Sequence, residues 1–192
     1  AYALTQDNLK MRLAYSTVSQ LSYIVLGVAL LSVSGITGGI IHIVNHAFTK
    51  ITLFFCAGAI YVASHKTNIS EMHGIARKMP WTIAAFAIGS LSIIGVPLFA
   101  GFITKWHLAV GTIETRSWML LGVILTSSLL NVAYFAPVVY KAVFGTPPAD
   151  GHEGISEAPY KVLIPLLITA VGTVALGIYP DHFLNLIKVG IR

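Results

Sequence analysis

The segment His42-Ile-Val-Asn-His46-Ala-Phe-Thr-Lys50 lies inside the apolar run from Ile36 to Ser64, and few folds can accommodate that combination. The run is long enough to cross a bilayer, whose ~30 Å hydrocarbon core takes about 20 helical residues. Within it, two imidazoles and an amine recur every fourth residue. On a helix each step of four turns the side chain by about 40°, so the three groups share one side of the helix. A lysine at the centre of a bilayer costs roughly 2.5–3.5 kcal/mol on insertion scales, and ionisable groups at that depth mark ion or proton pathways.

Composition supports a membrane setting. Of the 192 residues 56% are hydrophobic and only 10% charged, and the mean hydropathy is +0.80. Soluble domains carry about 25% charged residues. The net charge of +5 comes from lysines and arginines gathered in a few loops. Without interleaved aromatics this pattern suits membrane orientation and not nucleic-acid binding. The single Cys56 excludes a disulfide within one copy and reads as a small buried filler.

Hydropathy predicts an all-α polytopic fold of about five spans, one of them broken, with residues 1–192 forming a single transmembrane unit. The first span runs from Leu13 to Val33. Its opening half is polar (Tyr15, Ser16, Thr17, Ser19, Gln20, Ser22), which serves either close helix packing or a wet interior. Ser34 to Gly39 reads as a tight turn into the second span, which carries the His–Lys stripe. A polar connection follows from His65 to Met79, and Pro80 suits the start of the next helix. The third segment, Trp81 to Thr112, is interrupted by Gly95-Val96-Pro97-Leu98-Phe99-Ala100-Gly101. Gly95, Pro97 and Gly101 thus predict a broken helix, a device that builds ion sites in transporters, with Lys105 one turn beyond. The fourth span, Trp118 to Phe144, carries Thr126, Ser127, Ser128, Asn131 and Tyr134, and Pro137 near its end. A loop from Gly145 to Pro159, whose acids read as solvated, leads to the fifth span, Val162 to Tyr179. Residues 180–192 read as a short interfacial helix.

Alternating the spans puts Lys10, Arg12, Lys66, Arg77, Lys78, Lys141 and Lys161 on one side and Arg116, Lys188 and Arg192 on the other. Lys50 and Lys105 remain inside. The positive-inside rule then makes the N-terminus cytoplasmic and the C-terminus external. The chain opens on Ala1, and residues 2–12 are unlike a signal peptide, which leads to the expectation of the C-terminal part of a longer polypeptide.

All seven carboxylates fall in loops or near span ends, so the interior lysines have no acid at their own depth. Such an amine can take or release a proton as its surroundings change, and histidine titrates near neutrality. His42, His46, Lys50 and Lys105 therefore form a candidate proton relay, with Thr49, Tyr15 and Tyr134 as hydroxyl bridges and His107 as a further member. A zinc site needs a third protein ligand and haem a ligand on a facing helix. Neither is visible, nor is any hydrolytic constellation, so neither metal nor cofactor is expected.

Three motifs carry a resemblance. Asp7-Asn-Leu-Lys10-Met-Arg12-Leu-Ala-Tyr-Ser-Thr-Val-Ser-Gln20, then His42-x-x-x-His46-Ala-Phe-x-Lys50 with Leu53-Phe54, then Gly95-Val-Pro97 through Gly101-Phe-Ile-Thr-Lys105 resemble, in the same order, the proton-translocating antiporter-like subunits. That family spans respiratory complex I, Mrp-type cation/proton antiporters and membrane-bound hydrogenases. Thr49 stands where phenylalanine is usual, and Ser22 where glycine is common. The resemblance implies a fourteen-helix fold of two inverted five-helix repeats. This chain would cover its last five helices, the second repeat without its first helix plus a terminal helix. It also implies relay roles for His42, His46, Lys50 and Lys105, with Lys10 matching another family lysine.

The expected function is proton conduction by an antiporter-like subunit of a multisubunit Mrp-type monovalent cation/proton antiporter. The alternative is the equivalent proton-pumping subunit of complex I or a membrane hydrogenase, where the chain would belong to a translocase without doing redox chemistry itself. A non-conducting membrane scaffold is the alternative of another class. Expected partners are the lipid bilayer of a bacterial or archaeal plasma membrane, other membrane subunits, protons, and Na+ or K+ as exchanged cations.

Overall fold

The structure is a computed structural model that describes residues 2–146 and 156–191. His152, Asp150, Glu153 and Arg192 lie outside the described residues, as does the central part of the 145–159 loop. Among the described residues the chain is helical, in the order α1 (Tyr2–Thr5), α2 (Leu9–Ala29), α3 (Val33–Ser64), α4 (Pro80–Ile94), α5 (Ala100–Glu114), α6 (Trp118–Phe144), α7 (Tyr160–Ile178) and α8 (Asp181–Ile191). By length and composition alone, α3, α6 and α7 are apolar enough to cross a membrane. The other two expected spans are α2, with its polar opening half, and the α4–α5 pair, broken at residues 95–99.

Local chemistry explains most of the boundaries. The Asn8 side chain accepts from Met11 N to start α2, and Ser32 accepts from Gly35 N to start α3. His65 ends α3 in the left-handed region. The expected turn at Ser34 to Gly39 is incorrect: those residues form the first turns of α3, and the reversal falls at Leu30–Ser32, with Leu31 at φ 49°. Their glycines serve packing. A Cβ on Gly27 of α2 would lie 2.6 Å from Gly35 O and 2.8 Å from Gly39 Cα, and one on Gly111 of α5 would lie 2.7 Å from Gly35 N. Helices approach this closely only through small residues. At 32 residues α3 is about 48 Å long, and α2, α4, α5, α7 and α8 pack against it.

Two further expectations change. The 65–79 connection is not simply polar. Its two short 3-10 turns, Ile69–Glu71 and Ile75–Arg77, bury Ile69, Met72, Ile75 and Met79 beneath the bundle. The segment is fastened to the start of α2 by Leu9 N to Thr67 O (2.9 Å), Ile69 N to Asp7 O (2.9 Å) and Ser70 Oγ to Asp7 (2.6 Å). Glu157, expected in solvent, is half-buried on the start of α4. It accepts from Trp81 N (2.9 Å) and Thr82 Oγ1 (2.5 Å), where a carboxylate complements the helix dipole. Cys56 is fully buried as expected, its thiol donating to Thr82 O.

The contacts between loops sort them to two ends of the bundle. Asp7, Asn68, Gly74 and Lys141 meet at one end, and Ser34 meets Glu114 at the other, 2.5 Å apart.

The glycine contacts give a paired expectation for unfolding titrations in mixed micelles. Gly27→Ala forces two backbones apart and lowers stability by about 1–3 kcal/mol, the usual cost of overpacking. Gly58→Ala, where a Cβ meets nothing within 4 Å, is neutral or stabilising by up to about 1 kcal/mol through helix propensity.

Candidate functional site

The break between α4 and α5 positions Lys105. Gly95 ends α4 at φ +89°, a conformation that favours glycine, and Pro97 and Leu98 lie exposed in the loop. The last carbonyls of a helix have no partner within it. Here they hold the lysine: Lys105 Nζ, half-buried, donates to Ile94 O (2.7 Å) and Ile93 O (2.9 Å). A cation at a helix C-terminus sits on the negative end of the dipole, so backbone takes the place of an acid. A Cβ on Gly95 would lie 2.8 Å from Lys105 Cδ, so the missing side chain leaves room for the lysine stem.

Lys50 is buried and turned toward α2. Its Nζ donates to Leu13 O (3.0 Å) and to Ser16 Oγ, and it lies 5.9 Å from the centroid of the Phe135 ring. Among the described residues, every hydrogen bond of these two lysines ends on a carbonyl or a hydroxyl.

The histidines occupy a different part of the interior. His42 and His46 stack at 5.3 Å, and the Tyr23 ring meets His42 edge-on at 5.6 Å. They line a cavity of about 10 Å³ with Gln20, Asn45, Thr49 and Lys105, close to the smallest volume that holds one water. Among the described residues, His42 is buried with no hydrogen-bond partner for either ring nitrogen, and Asn45 Oδ1 is likewise without one. Three lining atoms, two on His42 and one on Asn45, thus offer a water the polar partners it requires.

The structure therefore brings His42, His46, Thr49, Gly101 and Lys105 together around one cavity, while Lys50 faces elsewhere. Eight residues of helix turn a side chain by about 80°, enough to carry the stripe from the cavity at His42 to α2 at Lys50. Thr49 bonds Ser92 Oγ at 3.1 Å. Tyr134 is buried and donates to Asn131 Oδ1. Tyr15 is exposed and stacks on Tyr2. Lys10, also exposed, lies 4.8 Å from the Tyr61 ring at the end of the bundle. His107 packs over Gly38, outside the cavity lining.

Two asparagines have site roles that the sequence alone did not assign. Asn45 Nδ2 donates to Ala100 O (2.7 Å) and Thr104 Oγ1 (3.1 Å), tying α3 to the first turn of α5. Asn131 Nδ2 donates to Ile93 O (3.2 Å), the carbonyl that Lys105 also uses, and its Oδ1 accepts from Gln20 (3.4 Å) and Tyr134. A buried amide in an apolar span was the available signal for both. Arg12, counted among the loop charges and part of the first motif, donates to Gln6 O (2.6 Å) and Tyr134 O (3.0 Å), tying the start of α2 to α6.

Residues 1–131 match the NADH:quinone oxidoreductase/Mrp antiporter transmembrane family. Among curated relatives, NADH-quinone oxidoreductase subunit N of Desulforudis audaxviator (strain MP104C) is 36% identical over 194 residues, covering 95% of this chain and 39% of the relative. Among solved structures, a chain of the Mrp complex from Dietzia sp. DQ12-45-1b has a TM-score of 0.88 at 24% identity, covering 96% of this chain and 42% of that one. A chain of the membrane-bound sulfane sulfur reductase, an archaeal respiratory membrane complex, has a TM-score of 0.85 at 30% identity, covering 92% and 29%. The chain thus spans about two fifths or less of the length of these proteins. It belongs to the NADH:quinone oxidoreductase/Mrp antiporter transmembrane family.

The Asn45 geometry is testable by unfolding. Asn45→Ala removes two buried hydrogen bonds and lowers stability by about 1–3 kcal/mol. Asn45→Asp costs more, because an acceptor-only carboxylate then faces Ala100 O. A smaller effect for Asp than for Ala would contradict the assigned donor.

Proposed function

We propose that this chain is part of an antiporter-like subunit and conducts protons through Lys50, Lys105, His42 and His46. The observation that carries the reading is the way the two interior amines are held. Lys105 rests on two carbonyls and Lys50 on a carbonyl and a hydroxyl, which bind an ammonium without neutralising it, so each can hand a proton on. A carboxylate partner would lock the charge in place.

In this reading Lys105 exchanges a proton with a water in the 10 Å³ cavity, and the stacked histidines extend the path along α3. Thr49 and Ser92 close the cavity wall. Asn131 keeps Ile93 O satisfied when Lys105 becomes neutral, so the end of α4 holds its place through the cycle. Tyr134, Tyr15, Lys10 and His107 are supporting positions. In this reading the chain is one transmembrane unit: the second repeat without its first helix, plus a terminal helix. Loop charges favour a cytoplasmic N-terminus for this chain and an external C-terminus.

The expected placement in an Mrp-type antiporter now has the weaker support. The 36% identity is to subunit N of an NADH-quinone oxidoreductase, whereas the likeness to the Mrp chain, at 24% identity, speaks to fold. A quinone-linked respiratory assembly is therefore the favoured setting, with other membrane subunits supplying the driving reaction. The genes beside this one discriminate: quinone- and NADH-linked subunits in one case, antiporter subunits in the other.

Substitutions separate conduction from a scaffold role. Lys50→Ala and Lys105→Ala abolish proton uptake into vesicles while the complex assembles. Lys50→Arg and Lys105→Arg keep the charge but hold their proton permanently, and they also block uptake. Normal uptake in the two alanine variants would establish a scaffold.

A further inference from the structure

The hydrogen-bond network behind Lys50 leads away from the histidine cavity, toward α6. Between α2 and α6, with the short α1 over its mouth, lies a second cavity of about 250 Å³, which has room for several waters. Its inner wall is formed by Ser16, Asn131 and Tyr134, all buried, and its outer wall by Tyr15, Ser19 and Ser127, which are exposed or half-buried. Ser16 is the hydroxyl that accepts from Lys50 Nζ. One side chain therefore separates the lysine from the cavity. The far wall touches the other lysine indirectly, because Asn131 shares Ile93 O with Lys105. Hydroxyls on a bilayer-depth helix commonly return their hydrogen to their own backbone, as Ser16 does to Leu13 O (2.8 Å). What distinguishes Ser16 is that its oxygen also receives the ammonium.

We propose that this cavity is a hydrated side port that exchanges Lys50's proton with water through Ser16. The proposal rests on the reading that Lys50 holds an exchangeable proton. The transfer balances without a co-reactant. The Lys50 ammonium gives one proton to Ser16 Oγ, and the hydroxyl turns from Leu13 O and releases its own hydrogen to a cavity water. The amine is left neutral, the hydroxyl is regenerated, and the hydronium passes its proton to solvent. The reverse sequence reloads the amine. Tyr134 and Asn131 of this wall hydrogen-bond to each other, and Asn131 also accepts from Gln20, which lines the histidine cavity, so the port also borders the anchor of Lys105.

The test uses the whole assembled protein in vesicles, with Ser19→Cys or Ser127→Cys introduced singly and Ile168→Cys on the exposed apolar face of α7 as control. A positively charged, water-soluble methanethiosulfonate is added after assembly. Modification at each site is read by mass spectrometry, and proton flux is read before and after. The port predicts modification at Ser19→Cys and Ser127→Cys with loss of flux, and none at Ile168→Cys. Failure of the charged reagent to reach both port cysteines overturns the proposal, as does full modification with unchanged flux. Lys50→Ala measured alongside separates the two levels. Flux retained in Lys50→Ala defeats the relay itself. Flux lost in Lys50→Ala but unaffected by modification defeats only the port.

Discussion

An ammonium group in an apolar bundle needs oxygen around it, and this chain supplies backbone where many proteins supply an acid. Lys105 is seated on Ile93 O and Ile94 O, the free carbonyls at the end of α4. Those carbonyls are free only because the helix stops at Gly95. Gly95 in turn adopts φ +89° and leaves its Cβ position to the lysine stem. The broken helix and the lysine are therefore one device: the break creates the negative end of a dipole, and the cation satisfies it. Taking two charges out of water costs several kcal/mol per ion before any compensation, which explains why each lysine makes two hydrogen bonds.

The rest of the fold keeps that device in register. Gly27, Gly35, Gly38, Gly39 and Gly111 let α2, α3 and α5 pack backbone against backbone. Asn45 pins α3 to the start of α5, and Asn131 reaches from α6 to the end of α4, so both edges of the break are held by amides from other helices. Glu157 fixes the opposite end of α4 through Trp81 and Thr82. The broken element is anchored at both ends.

Much of this was legible in the sequence because apolar runs and punctuation are strong signals. The placement of His42, His46 and Lys50 on one long apolar helix, the break at Gly95 to Phe99 and the helices α6 and α7 follow from hydropathy, helical period and proline chemistry. Glycine misled at residues 34–39, since a cluster of small residues marks either a turn or a close helix contact, and only the partner helix decides. The 65–79 segment reads as polar because its buried residues, Ile69, Met72, Ile75 and Met79, are spaced among charges. The orientation of Lys50 toward Ser16 and the sharing of Ile93 O by Lys105 and Asn131 depend on which helices become neighbours. Local pattern carries no record of that.

The seat of Lys105 on the helix end is open to direct observation. Isotope-edited infrared spectroscopy of the assembled protein, with carbonyl-13C at Ile93 and Ile94, reads the hydrogen bonds those two groups accept. With lysine present their stretches lie low, as strongly hydrogen-bonded carbonyls do. Lys105→Met moves the Ile94 band to higher frequency and the Ile93 band less, because Asn131 still donates to it. Two bands unmoved by the substitution would mean that the amine is held elsewhere, and the coupling between helix break and lysine would be wrong.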